Sequence, residues 1–316
     1  MITNGLSAFH ESSSCSLARV STGDLTAGEL RILVAIAGEG SFTAAAQRLG
    51  LTQSAVSHAV RTVERKIGAV LFQRGRSGAQ PTEAGATTVR HARRILRLMD
   101  TMRQEAGIAA AGGTTGTIRV ASFRSAAFHL LPGVLSRFGQ RCPRVTVDVS
   151  VVPETDAGVP GKVRDGLADV GVTALFPPVD DLVTRQLFED SYVLAYPTGH
   201  PDPRSLPTIH WKARTSAETE AWCARQDWLS ANDIRVEDDD VAMSMVRHGL
   251  GAAVVPRLTL GSAHPAVAVQ ELGPDAPIRR IGYVTTPEML NSAAVRGLIA
   301  ELRAQRTTEH RPSVSR

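Results

Sequence analysis

At 316 residues and 43% hydrophobic content the chain is long enough for two or three globular domains, each burying a core of its own. No apolar run nears the roughly 18 residues of a membrane span, and the N-terminus lacks the apolar stretch of a signal peptide, so the expected location is cytoplasmic. The net charge of +4 is unevenly spread: residues 24–111 carry twelve Arg and Lys against seven Asp and Glu, while residues 112–316 are almost balanced, so phosphate is attracted to one third of the chain.

Met1 to Gly23 is Ser-rich and aperiodic and reads as a disordered arm. Because the next methionine is Met99, a shorter product would have to begin on a non-AUG codon such as one at Val20, a point that the intact mass of the native protein decides. Thr26 and Glu29 form a capping-box pattern ahead of Leu30, Leu33, Val34 and Ala37, which predicts a helix to Gly38.

The stretch Ser41 to Gly68 predicts two short helices around a tight turn. Ser41 caps the first, Ala44, Ala45 and Leu49 give it a small packing face, and Gly50 ends it. Leu51 is expected to fill the corner and Thr52 to cap the second helix. There Val56, Val60, Val63 and Ile67 recur at helical spacing and are expected to face inward. Gln53, Ser54, Ser57, His58 and Arg61 are left on the opposite face, hydrogen-bonding side chains on a helix slim enough for the major groove. Ser54 has a second reading, as a residue serving only the helix N-terminus.

Residues 70–74 and 79–81 flank the turn-rich run 75–78 and read as a β-wing, on which Arg74 and Arg76 either place charge beside a duplex or are ordinary surface arginines. From Glu83 to Ala111 a helix is expected. Its residues Val89, Ala92, Leu96, Met99, Met102, Ala106 and Ala109 recur at gaps of three and four, the seam of a coiled coil through which two chains pair. Residues 112–116, Gly-Gly-Thr-Thr-Gly, read as a flexible hinge.

Beyond Thr117 strands and helices alternate: a strand at 118–121, a helix from Ala126 to Gln140, strands at 145–151 and 169–173, and a strand at 192–196. A helix at 241–248 follows, then strands at 252–255, 267–272 and 278–284 and a closing amphipathic helix from Ser292 to Arg306. This is a doubly wound α/β pattern. The tail 307–316 reads as disordered, and Pro203 to Arg235, with Trp211, Trp222 and Trp228, carries few periodic signals.

Gly40-Ser41-Phe42-Thr43, Thr52-Gln53-Ser54-Ala55-Val56-Ser57, Val63-Glu64, Leu71-Phe72 and Thr82-Glu83-Ala84-Gly85 stand in the order and at the separations of one family. So do Asp165 to Val172, Gly199-His200-Pro201 and Val246 to Pro256. From Leu25 to about Leu302 the chain resembles the LysR-type transcriptional regulators. The resemblance implies a winged helix-turn-helix over 24–82, a dimerising linker helix over 83–111, a hinge at 112–116 and a two-subdomain effector domain over 117–306. It further implies homodimers or homotetramers on double-stranded DNA at promoters, with RNA polymerase a further partner, and DNA bending altered by a small molecule in the interdomain cleft. The chain departs from the family in its long N-terminal arm and at 203–235, which is expected to supply one wall of the cleft.

On this resemblance Gln53, Ser54, Ser57, His58 and Arg61 are the DNA-facing candidates, with Arg74 and Arg76 on the wing. The loop Ser122-Phe123-Arg124-Ser125 follows a strand and opens a helix, where free N–H groups favour an anion. The family places this loop and the one at Thr155 against the effector. Ser122, Arg124, Ser125, Thr155 and Thr173 are therefore the effector-binding candidates, and the planar fork of Arg124 suits a carboxylate. No cofactor or metal is expected: the sequence holds no phosphate loop, nucleophile elbow or spaced ligand set, which argues against an enzyme. Cys15, Cys142 and Cys223 are isolated, which argues against a disulfide framework or redox pair. A DNA-binding protein that uses its α/β part for assembly alone, without a ligand, is the remaining alternative.

Overall fold

The computed structural model describes residues 23–75, 78–111, 114–153, 157–175, 181–211, 217–229, 234–261 and 264–305. The expectations for the arm, Arg76, Gly112 and Gly113, Thr155 and the tail lie outside these residues. The chain divides into two compact units at Val89 and Arg90.

In the first unit Thr26 caps α1 (Ala27–Glu39) with the complete reciprocal box: its hydroxyl accepts from Glu29 N–H at 3.2 Å, and the Glu29 carboxylate accepts from Thr26 N–H at 2.8 Å. Next come α2 (Phe42–Leu49), α3 (Gln53–Ile67) and a hairpin of β1 (Phe72–Gly75) with β2 (Gly78–Pro81). Leu33, Ile36, Phe42, Ala45, Val56, Val60, Val63, Leu71 and Phe72 form one buried core. Each large aliphatic or aromatic side chain so buried contributes about 1.5–3 kcal/mol.

Two residues expected inside are exposed. The corner closes through its backbone, Leu51 N–H to Ala46 O at 2.9 Å, which leaves the Leu51 side chain outside. Ile67 is the last residue of α3, one turn past Val63, where the core has ended.

Thr82 caps α4 (Glu83–Ala111), accepting from Gly85 N–H at 3.0 Å and donating to Val70 O at 2.7 Å. The expected seam on α4 divides. Val89 and Ala92 are buried, Val89 in the core of the first unit, and Leu96 and Met99 are half-buried. The open stripe is instead Ile95, Leu98 and Met102, at 45%, 39% and 62% exposure, with Ala106 also exposed. A 3.5-residue pattern drifts by about 20° per heptad on a 3.6-residue helix, so one row of residues does not keep one face over the roughly three heptads from Val89 to Ala109.

The second unit continues with β3 (Thr115–Ser122), α5 (Arg124–His129), α6 (Leu131–Arg141), β4 (Arg144–Val151), α7 (Gly158–Arg164), β5 (Val170–Ala174) and the 15-residue β6 (Val183–Pro197). After it come β7 (Ile209–Trp211), α8 (Ala217–Ala224), β8 (Ile234–Val236), α9 (Asp239–Arg247), β9 (Ala253–Pro256), β10 (Val267–Glu271), β11 (Ile278–Thr285) and α10 (Ala293–Gln305). Because β3 begins at Thr115, the stretch read as a hinge overlaps a strand.

β3 runs parallel to β4 on one side and β5 on the other, the doubly wound arrangement, and β11 closes it antiparallel against β5. β6 then carries the chain into a second subdomain. Its first half pairs with β11 and its second half with β9 and β10. Two cores follow from this crossing, one around Ile118, Val120, Phe138, Leu187 and Tyr283 and one around Val193, Ala195, Met243, Val246 and Val255.

The helix expected from Ala126 is two helices: Leu130 between them stays in the right-handed helical region, but Pro132, in the first turn of α6, has no N–H to bond back to the preceding turn. The described residues of the stretch 203–235 pack on the second subdomain. β7 and β8 pair in parallel, Trp222 is buried beside Tyr192 and Val254, and the Trp211 indole donates to Val254 O at 2.9 Å. These tryptophans hold the second subdomain together.

Glu301 on α10 is buried and accepts from Arg141 at 2.7 Å and Arg137 at 3.1 Å. The Arg141 bond, aided by Arg137 and opposed by burial, holds this carboxyl below its ordinary 4.5. A depressed folded value stabilises above the unfolded one and is lost as pH falls through it. Glu301→Gln is therefore expected to destabilise the effector unit at pH 7 by about 1–3 kcal/mol, seen as a lower thermal midpoint, and the difference to shrink below pH 4.5. Melts of both proteins from pH 7 to pH 3 check this.

Candidate nucleic-acid interface and effector cleft

α3 is built to present one polar face. Thr52 caps it, accepting from Ala55 N–H at 3.2 Å, while Val56, Val60 and Val63 anchor the other face. Gln53, Ser54, His58 and Arg61 are exposed on the outer side, and Arg61 forms no salt bridge among the described residues. The Ser54 hydroxyl lies 3.0 Å from that of Thr52, so it is tied to the cap as well as exposed.

Ser57 is buried, contrary to its place in the exposed set, and accepts from Gln53 Nε2 at 2.9 Å. Its position one turn after Gln53 and one residue after Val56 puts it at the rim of the core. From there it orients Gln53.

The wing is held to α3 by Glu64, which the sequence places in the family run without a role. Its carboxylate accepts from the backbone N–H of Leu71 at 2.8 Å and of Phe72 at 3.4 Å. The signal was present as a lone acid next to the buried Val63, on a helix otherwise basic in its last turn. Arg74 lies in β1 opposite Ala79. Lys66 is engaged elsewhere, with Glu29 at 2.8 Å.

In the second unit Ser122 and Thr173 end adjacent parallel strands, at the point where the strand order reverses. Both are buried and both hydroxyls donate to neighbouring carbonyls, Ser122 to Phe123 O at 3.1 Å and Thr173 to Ala174 O at 3.1 Å. Ser125 is buried too and accepts from Arg279 Nη2 at 3.0 Å. Arg279 also donates to Asp190 at 2.7 Å and lies over the Phe123 ring, and Asp190 in turn accepts from Leu258 N–H at 2.9 Å.

Arg124 is half exposed but occupied: its Nε lies 2.5 Å from Asp238 Oδ2. Beside this pair His129 Nε2 is 3.3 Å from Asp240 Oδ1, so α5 of the first subdomain meets the acidic start of α9 of the second in two places. Asp239 turns inward to Thr259 Oγ1 at 2.7 Å, and burial pushes its carboxyl above the ordinary 3.8 against that hydrogen bond. The structure thus brings Ser122, Ser125, Thr173 and Arg124 to the same end of the sheet, but gives Arg124 a carboxylate from the chain itself.

Cys142 and Cys223 belong to different subdomain cores, and burial raises the Cys223 thiol from 9.0, opposite to what a reactive thiolate needs. No helix among the described residues is long and apolar enough to cross a membrane.

A three-helix core with a wing, followed by a long helix and a two-subdomain α/β unit, defines a DNA-binding protein that carries a ligand-binding module. Residues 28–86 match the bacterial regulatory helix-turn-helix proteins of the lysR family, and residues 111–307 match the LysR substrate binding domain. The chain belongs to the LysR family of transcriptional regulators, DNA-binding proteins rather than enzymes.

A probable HTH-type transcriptional regulator, LrrA, from Synechococcus elongatus is 38% identical over 265 residues, 80% of this chain and 87% of its own length. The fold is shared with ArgP from Mycobacterium tuberculosis at a TM-score of 0.68 and 20% identity, over 90% of this chain and 98% of that one. It is also shared with full-length CbnR complexed with its target DNA, at a TM-score of 0.60 and 22% identity, over 89% and 99%.

Proposed function

We propose that this regulator reads promoter DNA with the exposed face of α3 and that an anionic small molecule in the cleft alters the outcome. The observation that carries the first part is the capped α3, whose exposed Gln53, Ser54, His58 and Arg61 are backed by a buried valine face. Gln53 is the base-reading residue, held by Ser57; Ser54 and His58 flank it. Arg61, with Arg74 and Arg76 on the wing, supplies phosphate contacts.

Two copies pair through α4, where the exposed Ile95, Leu98 and Met102 form the apolar stripe, and the effector domains extend the assembly to a dimer or tetramer. The protein works in the cytoplasm beside RNA polymerase.

The effector is a carboxylate or similar anion that takes Arg124 in place of Asp238. Ser122, Ser125, Thr155 and Thr173 are the further residues proposed to contact it. An ion pair already sits on the Arg124 fork, which favours a carboxylate-shaped partner. A thermal-shift screen of carboxylate metabolites tests this. Arg124→Ala is expected to remove the shift given by the binder, and Asp238→Asn to enlarge it by releasing the competitor. A binder whose shift survives Arg124→Ala removes Arg124 from the site.

A further inference from the structure

The carboxylate of Asp169 is 1% exposed and accepts four hydrogen bonds. They come from Arg97 Nε at 2.7 Å, Arg97 Nη2 at 2.5 Å, Arg119 Nη2 at 3.0 Å and the Arg119 backbone N–H at 2.7 Å. Two carboxylate oxygens accept about four bonds, so this one is saturated. Arg97, itself only 14% exposed, also donates to the Thr117 carbonyl.

The Asp169 backbone is engaged on both sides, donating to Arg119 O at 2.8 Å and accepting from the Thr285 hydroxyl at 2.6 Å. One residue thus joins β3, β11, the start of β5 and the distal part of α4. The helix approaches closely there: Gly166 sits in the left-handed region at φ 68°, and a Cβ on it would press on Arg93 Cβ and the α4 backbone. Arg94 to Glu288 and Arg90 to Asp165 add two further ion pairs along the same face of α4.

We infer that Arg97 and Asp169 form a clamp that makes α4 from Arg90 onward part of the effector unit and reports the spacing of β3 and β5 to it. Arg119 lies three residues from Ser122 along β3, and Asp169 four residues from Thr173 along β5, roughly 10 and 13 Å. A shift of one strand against the other at the cleft end therefore arrives at a carboxylate with no spare acceptor. A planar fork holding two of its bonds responds by keeping both or losing both. The inference rests on the reading that Ser122 and Thr173 border the effector; the clamp itself does not. Arg97 is a positioning residue, since it acts through Asp169.

Hydrogen–deuterium exchange on the full-length protein tests the clamp without any effector. Arg97→Gln is expected to speed exchange of amides 93–106 at least tenfold while β5 stays protected, and Arg97→Lys, which keeps the charge but loses the fork, to fall between. Thr173→Val is expected to change exchange over 93–106 in the wild-type background and to have no effect there in Arg97→Gln.

Three results overturn the inference: exchange over 93–106 within twofold of wild type in Arg97→Gln, equal loosening of β5 and α4, or a Thr173→Val effect that is absent or identical in both backgrounds. Should Arg97→Gln not fold, Arg97→Lys carries the same comparison. The reading of the cleft itself is tested separately, by the Arg124→Ala titration.

Discussion

Gly85→Ala is expected to destabilise the winged unit by about 3 kcal/mol and to cost most of its DNA affinity, the reverse of what the same change does on an ordinary helix. In a helix interior alanine is better than glycine by up to about 1 kcal/mol. Here a Cβ would overlap the Leu71 carbonyl oxygen, a backbone atom that cannot rotate away. That carbonyl also accepts from Thr82 N–H at 2.9 Å, which fixes the start of α4, and the neighbouring Leu71 N–H is held by Glu64 on α3 at 2.8 Å.

Making room at Gly85 therefore disturbs the wing, the helix cap and the recognition helix together. For a unit of this size about 3 kcal/mol lowers the midpoint by roughly 12–24 °C. A far-UV melt resolves this, with Ala86→Gly on the exposed side of the same turn as the control. An unchanged or raised midpoint for Gly85→Ala contradicts the packing described for residues 71–85.

Gln53 and Arg61 are expected to fail in different ways. Gln53 meets base edges with its amide held by Ser57, so Gln53→Ala is expected to cut the preference for the selected site over random duplex by about 1–3 kcal/mol, or 5- to 150-fold. Affinity for random duplex should hardly change. Arg61 meets a phosphate, so Arg61→Ala is expected to weaken every duplex alike and to reduce the salt slope by about one unit. Ser57→Ala, which frees the Gln53 amide without touching DNA, should resemble a mild Gln53→Ala. Titrations of one selected and one random duplex at several salt concentrations separate the two; an unchanged salt slope in Arg61→Ala removes the phosphate assignment.

The sequence made the first unit legible because each of its features is local. Thr26, Ser41 and Thr52 are caps whose partners lie three residues away, and Val56, Val60 and Val63 declare their face by spacing alone. What stayed hidden depended on distant contacts. Ser57 has the polarity of its exposed neighbours and differs from them only in sitting at the rim of a core made by other helices.

The same limit applied in the α/β unit. β6 was visible only in its apolar second half, because its first half, Val183 to Asp190, is mostly polar and shows no strict alternation. Arg124 looked like a free anion site, and the carboxylate that occupies it stands 114 positions later, at Asp238. Arg97 and Asp169, 72 positions apart, gave no sign of each other. The three tryptophans could not be placed from spacing, since Trp211 stands in a three-residue strand and Trp222 on an eight-residue helix, too short to show a period, and their partners Tyr192 and Val254 are distant in sequence.

The central claim is that α3 reads sequence and does more than attract phosphate. Its most direct test is the affinity of the wild-type protein for a duplex selected from random sequence, measured against an unselected duplex from low to near-physiological salt. Affinity for both should fall with salt, while the selected duplex stays at least about 10³-fold tighter near physiological salt. Equal affinity for the two duplexes across that range would contradict the account.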